Sequence, residues 1–190
     1  MWSGVLLGGG SSSRMHRNKA ILTCPRLGSA DLVSHACQQL KSVINNNYFL
    51  ANSRRGCPTD FKFIADQNPA GGPLQALQEF LPRCETEFLL VMPLDMPLVT
   101  SEQLSSVVDY VNLSPATSYF CLNSDGQACF PLVINENNFA ELQELTTDKM
   151  FDAMRQIGAQ ALPESVVSAA SLININTPQH WREFSEAGND

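Results

Sequence analysis

Residues 88–92 read Phe-Leu-Leu-Val-Met, an unbroken apolar run that ends at Pro93-Leu94-Asp95. A strand with one wet face alternates apolar and polar residues. A run with no polar position fits a strand covered on both sides, as at the centre of a parallel sheet flanked by helices. Short apolar runs alternate with segments of helical period along the rest of the chain, the pattern of an α/β domain. Trp2 to Leu7 predicts a first strand. Over 30–44 the spacing of Leu32, Val33, Ala36, Cys37, Leu40, Val43 and Ile44 predicts a helix. Tyr48 to Ala51 and Phe61 to Ala65 predict further strands, Gly72 to Leu81 a short helix, and Ser101 onward a helix with Leu104, Val107, Val108 and Val111 on one face. A strand pair over 117–134, helical stretches over 136–157, a strand at Leu172 to Ile175 and a last helix from Pro178 complete the expectation. Pro131 lacks an N–H, so its strand is expected at an edge or bulged.

The chain has 190 residues, 44% of them apolar, which is ample for a core; with no internal repeat or linker, one domain over 1–190 is expected. No apolar run reaches the roughly 18 residues that span a bilayer. The segment Met1 to Leu7 lacks the basic and long apolar regions of a signal peptide. Six cysteines show no Cys-x-x-Cys spacing and none directly beside a histidine, which speaks against a zinc site or disulfide scaffold and for free thiols in a reducing cytoplasm. His16, His35 and His180 stand apart, giving little support to a histidine metal site or a Ser-His-Asp triad. A net charge of -7 with 16% charged residues leaves no broad basic surface for nucleic acid or membrane. The balance is nevertheless uneven. Residues 1–30 hold Arg14, Arg17, Lys19 and Arg26 and no acid, so this segment carries +4 and the remainder -11.

Within that basic segment lies Gly8-Gly9-Gly10-Ser11-Ser12-Ser13-Arg14, with Lys19 shortly after. Glycines let the backbone approach a ligand and aim successive N–H groups at an anion, and Arg14 and Lys19 add positive charge. After a first strand this is either a phosphate cradle or a plain Gly/Ser loop with solvated cations. It is not Walker A, because Asn18 stands where Gly precedes the Lys, and it is not Gly-x-Gly-x-x-Gly, because Ser13 replaces the third glycine. Asp95, just beyond a buried strand, is expected at the carboxyl edge of the sheet, where open α/β folds bind ligands, and its carboxylate suits Mg²⁺. Asp66 ends another strand and can face the same crevice; each carboxylate alone equally suits a turn or helix cap. Gly71-Gly72-Pro73 permits a tight turn into a helix. Asn174 and Asn176, either side of Ile175, share one face of the expected strand, where their amides can meet a polar ligand. Thr177 and Pro178 fit the N-cap and first position of the helix that follows.

The stretch from Leu6 through the glycines to Ser13-Arg14-Met15-His16-Arg17-Asn18-Lys19 resembles the Leu-Ala-Gly-Gly-x-Ser-x-Arg-Met-Gly-x-Asp-Lys signature of the MobA-like nucleotidyltransferases. Three further blocks resemble that family in its own order: Ile64-Ala65-Asp66 with Gly71-Gly72-Pro73-Leu74, Val91-Met92-Pro93-Leu94-Asp95-Met96-Pro97, and Asn174-Ile175-Asn176-Thr177-Pro178. The resemblance therefore runs from residue 5 to 178. It implies a Rossmann-like three-layer sandwich with a mostly parallel central sheet, of the nucleotide-diphospho-sugar transferase type. It also implies transfer of GMP from GTP to the phosphate of molybdenum-molybdopterin, giving molybdopterin guanine dinucleotide and pyrophosphate.

Carried over residue by residue, the resemblance implies nucleotide binding by Leu7, Gly8, Gly9, Gly10, Ser12, Lys19, Asn52, Asp66, Gly72 and Asp95. Arg14, Lys19 and Asp95 would act in catalysis, Asp95 would hold Mg²⁺, and Asn174 and Asn176 would meet the acceptor. GTP and molybdopterin are implied as substrates and other molybdenum cofactor proteins as partners. Against the family's pattern, His16 replaces Gly, Asn18 replaces Asp, Gly8 stands for Ala, and Gln75-Ala76 replaces Ala-Gly. Gln75 adds an amide near the nucleobase position, which leaves a relative using CTP or another phosphorylated acceptor as one alternative. His16 and Asn18 motivate another, a nucleotide-binding protein without catalysis.

Overall fold

The structure, a computed structural model, describes residues 1–8, 22–28, 30–54, 56–68, 70–115 and 117–187. Its strands are β1 (Trp2–Leu7), β2 (Asn47–Ala51), β3 (Lys62–Ala65), β4 (Phe88–Pro93), β5 (Tyr119–Leu122), β6 (Ala128–Asn135) and β7 (Gln160–Ala161). The helices are α1 (Leu32–Lys41), α2 (Gly72–Phe80), α3 (Ser101–Leu113), α4 (Phe139–Glu144), α5 (Met150–Gln156) and α6 (Pro178–Glu186). One sheet holds the strands in the order β3-β2-β1-β4-β6-β5-β7. β1 pairs in parallel with both β2 and β4, β3 continues in parallel beyond β2, and β7 is parallel to β5; only β6 runs against its two neighbours.

Side chains alternate across the pleat, so each strand feeds two cores. Phe88, Leu90 and Met92 of β4 pack with Leu6, Phe49, Val133, the apolar faces of α1 and α3, and Phe184 of α6. Leu89 and Val91 point the other way, onto Val5, Leu7, Leu50 and Leu132, under α2, α4 and α5. Leu89, Leu90 and Val91 are all 0% exposed, which is why the run at 88–92 tolerates no polar residue. The result is the expected Rossmann-like three-layer α/β sandwich. Among the described residues, no helix is long and apolar enough to cross a membrane.

The helices begin where the sequence supplies caps. Asp31 accepts from the Ser34 N–H at 2.7 Å to open α1, Thr100 and Gln103 form a reciprocal capping box on α3, and Thr177 accepts from the His180 N–H at 3.1 Å on α6, with Pro178 in the first turn. One expectation changes. Leu172 to Ile175 is not a strand: it follows a 3-10 turn at Ala169–Ser171 and joins the sheet region through one main-chain bond, Ile175 N–H to Asp95 O at 2.8 Å. β4 already has β1 and β6 on its two edges, so no ladder is open to this segment. Of the two settings expected for Pro131 the structure has the bulge, in interior strand β6: Phe120 faces Leu132 but Cys121 faces Cys129, so Phe130 and Pro131 have no partner across that ladder. The two-residue β7 falls below what a period-2 pattern can reveal.

Where β1 ends, Gly8 donates its N–H to Leu50 O at 2.8 Å, and a Cβ built there would overlap the ring of Phe49, itself 2% exposed. Glycine at 8 is thus the size complement of a large core residue. Gly8→Ala should cost about 1–3 kcal/mol by overpacking, and combining it with Phe49→Leu should cost less than the sum of the single changes in a urea-denaturation cycle. Leu90→Ala, at a position paired with Gly4 and Val133, should lower unfolding free energy by about 2–5 kcal/mol in the same assay.

Candidate active site

Parallel pairing sends four consecutive strands to one edge. Leu7 lies opposite Leu50 and Pro93, and Ala51 lies opposite Ala65, so Gly8, Asn52, Asp66 and the Pro93-Leu94-Asp95 turn follow strands that finish side by side. The chain runs outward from β1 through β2 to β3, then returns to β4 on the other side of β1. That reversal opens a crevice between the ends of β1 and β4, the place where such sheets bind ligands. Gly9, Gly10, Ser12, Arg14, His16, Asn18 and Lys19 lie outside the described residues. The Gly8 N–H is committed to Leu50 O and is not available to a ligand. Leu7 places its side chain in the core under α2, leaving only its main chain at the edge.

Asp66 is half-buried and its N–H is tied to Ala51 O at 2.9 Å; one carboxylate oxygen accepts from the Asn68 N–H at 3.0 Å, forming an Asx turn. Asn52 is exposed at the end of the neighbouring strand. Asp95 is half-buried, and its main-chain oxygen receives Ile175 N–H, which draws Asn174 and Asn176 to the end of β4 although no strand forms there. His180, in the first turn of α6, brings Nδ1 within 3.3 Å of Asn174 O and 3.5 Å of Asn176 N. The sequence reading left His180 isolated. Its signal was its place three residues after the N-cap Thr177, where a side chain turns back over the incoming chain.

Asn174 Oδ1 is buried and has no hydrogen-bond partner among the described residues. A buried carbonyl oxygen left so costs about 1–3 kcal/mol and is met in folded proteins by a water, an ion or a ligand. The Asp95 carboxylate, in the turn bonded to Ile175, is a hard oxygen donor of the kind a divalent cation takes. The described residues contain no group of three or more His, Cys, Asp or Glu side chains able to hold a metal. Beside this segment, between the turn after β4 and α6, lies a cavity of about 460 Å³ walled by Leu98, Ile173, Ile175 and Phe184, with Arg26, His180 and Glu183 as its polar residues.

On the other face of the sheet, Gly72 adopts φ 77°, a left-handed conformation that favours glycine, and Pro73 opens α2. Gln75 folds its carboxamide back over Gly71, where a Cβ would overlap it, and its Oε1 accepts from Asn68 Nδ2 at 3.1 Å. Asp66, Asn68 and Gln75 thus form one linked group. Burial, with Cys57, Asp60 and Asp31 nearby, pushes the Cys37 thiol up to about 12, burial takes Cys129 to about 11, and burial with Cys129 beside it raises Cys121, which disfavours the reactive thiolate at these three positions.

The model of the MobA-like NTP transferase domain matches residues 4–164. A molybdenum cofactor guanylyltransferase from Xanthomonas euvesicatoria is 30% identical over 190 residues, covering 95% of this chain and 92% of its own. Among solved structures, a Mycobacterium tuberculosis protein superposes with a TM-score of 0.79 at 19% identity, covering 97% of both chains. Molybdopterin-guanine dinucleotide biosynthesis protein A from Archaeoglobus fulgidus superposes with a TM-score of 0.78 at 16% identity, covering 98% of both. At these identities the two structures carry the fold alone. The mycobacterial protein has also been solved in complex with manganese, in a structure with a TM-score of 0.72 at 18% identity that covers 98% of both chains. The family model spans most of this chain and the curated relative nearly all of it, and both agree with the ordered motifs at the strand ends: the chain belongs to the MobA-like NTP transferase family.

Proposed function

We propose that this chain transfers GMP from GTP to the phosphate of molybdenum-molybdopterin, forming molybdopterin guanine dinucleotide and releasing pyrophosphate. The observation that carries the reading is the meeting of Gly8, Asn52, Asp66 and Asp95 along the ends of adjacent parallel strands, with the Asn174–Asn176 segment hydrogen-bonded to Asp95. Family membership and the guanylyltransferase name of the Xanthomonas relative support the same chemistry.

An oxygen of the acceptor phosphate attacks the α-phosphorus of GTP in line. The new P–O bond forms as the bond to the oxygen bridging the α- and β-phosphorus breaks, and pyrophosphate leaves with that electron pair. The nucleophile is already anionic, so no base has to remove a proton, and the protein's task is alignment and charge neutralisation. Main-chain N–H groups after Gly8, with Ser12, Arg14 and Lys19, hold the triphosphate. Leu7, Gly8, Asn52, Asp66 and Gly72 border the nucleoside. Asp95 would hold Mg²⁺, which would supply positive charge to offset that on the phosphates. Asn174 and Asn176 face the acceptor, and the cavity beside α6, apolar on its walls with Arg26, His180 and Glu183 as its polar residues, suits a flat ring with polar edges. The reading takes 1–190 as one nucleotidyltransferase domain working in the cytoplasm beside other molybdenum cofactor proteins, in keeping with six free cysteines.

Incubating the protein with Mg²⁺, molybdenum-loaded molybdopterin and one NTP at a time, while following pyrophosphate, should give turnover with GTP. Turnover with CTP alone overturns the base assignment, and nucleotide-dependent thermal stabilisation without turnover favours a binding protein. Asp95→Asn should lower turnover by roughly 10²-fold or more with an unchanged urea midpoint. Retained activity removes Asp95 from the mechanism.

A further inference from the structure

We propose that the loop between α4 and α5 forms a second wall of the nucleobase pocket and that Asp148 on it is the residue that selects guanine. This rests on the GTP reading above and adds a specificity residue that no motif marks. Gly71 and Gly72 open into a cavity of about 450 Å³ that is closed on its far side by Leu145, Thr147 and Asp148. The wall is held in place: Gln78 of α2 donates through Nε2 to Leu142 O at 2.8 Å and to Leu145 O at 3.0 Å, and Thr147 Oγ1 accepts from the Lys149 N–H at 3.2 Å. Two main-chain carbonyls at the end of α4 are thereby fastened to the helix that starts at Gly72.

The polar groups around this cavity match one base. Gln75 lines it with Oε1 already engaged by Asn68, so the carboxamide offers its Nε2 hydrogens as donors. Asp148 is the one charged residue on the described lining, an acceptor on both oxygens. Guanine presents an acceptor at O6 beside donors at N1 and N2, the complement of an amide N–H next to a carboxylate. Adenine reverses the pattern at N6 and N1, and a carboxylate facing its N1 lone pair is repelled. A carboxylate reading N1–H and N2–H also discriminates among purines that differ only at C2. Hypoxanthine lacks one of its donors, and xanthine places an oxygen against it.

The test is steady-state pyrophosphate release by the full chain with Mg²⁺, molybdenum-loaded molybdopterin and GTP, ITP or XTP, backed by calorimetric binding of GTP and ITP so that affinity is read even where turnover is low. The native chain should prefer GTP to ITP by about 10- to 100-fold in kcat/KM, the cost of leaving a charged acceptor unpaired. In Asp148→Asn that ratio should fall to within about threefold, in turnover and in binding, while use of XTP rises and the melting temperature stays unchanged. An unchanged GTP/ITP ratio in Asp148→Asn overturns the role of Asp148 and leaves the guanylyl reading standing. A native chain that turns over CTP and no guanine nucleotide overturns both.

Discussion

Everything at the candidate site follows from β1 having a parallel neighbour on each side. A parallel strand needs a crossover, and a crossover places a helix on one face of the sheet; with α1 and α3 on one face and α2 on the other, both faces of β1 and β4 become dry. Parallel strands also leave the sheet in the same direction, so the segments after β1, β2, β3 and β4 gather at one edge without any long loop. The reversal between β1 and β4 then separates Gly8 from Asp95 by the width of one strand pairing, Leu7 with Pro93. The proposed pairing of a triphosphate site after Gly8 with a cation site at Asp95 draws its support from this strand arrangement.

How much of this could be read from residues alone depended on whether the signal was local. An unbroken apolar run marked β4, the Val5-Leu6-Leu7 stretch marked β1, and the Thr177-Pro178 pair marked the start of α6, since burial on two faces and a missing N–H are properties of a few adjacent residues. Leu172 to Ile175 has the composition of a strand, but whether it pairs depends on a vacancy beside β4, which β1 and β6 fill. Pro131 illustrates the same limit: proline excludes an ordinary ladder position, and only the register of β5 against β6 shows that the solution is an interior bulge. The walls of the site built by His180, Gln78 and the Leu145–Asp148 segment were not legible, because their partners are remote. Gln78 clamps carbonyls 64 and 67 residues away.

The uneven charge of the chain acquires a structural sense at the two ends of its basic segment. Gly8 is anchored to Leu50 at one end, and at the other Arg26 lies over the ring of Phe184, 4.8 Å from its centroid, with Nη1 donating to Phe184 O at 3.3 Å. The far end of the basic segment is therefore held to α6, the helix whose first turn also steadies the Asn174–Asn176 segment. Arg26 and the amide segment are thus both held by α6, beside the turn in which Asp95 stands. A net charge of -7 hides this asymmetry, because the first 30 residues hold four bases and no acid.

Two of the departures from the family's pattern fall on described residues, and both are matched by a neighbour. A site losing its function accumulates substitutions that leave a void or an unpaired polar group. Gly8 leaves no void, because the ring of Phe49 fills the space that a methyl group would need. Gln75 leaves no stray amide oxygen, because Asn68 donates to it, and Gly71 carries no side chain that would block its path. Each change therefore comes with its accommodation in the surrounding packing, and the group that Gln75 joins includes Asp66 at the end of β3. With Gln75 in place the polar group at the end of β3 stays internally hydrogen-bonded, and with Gly8 in place the end of β1 stays filled, so both departures keep this edge of the sheet rigid.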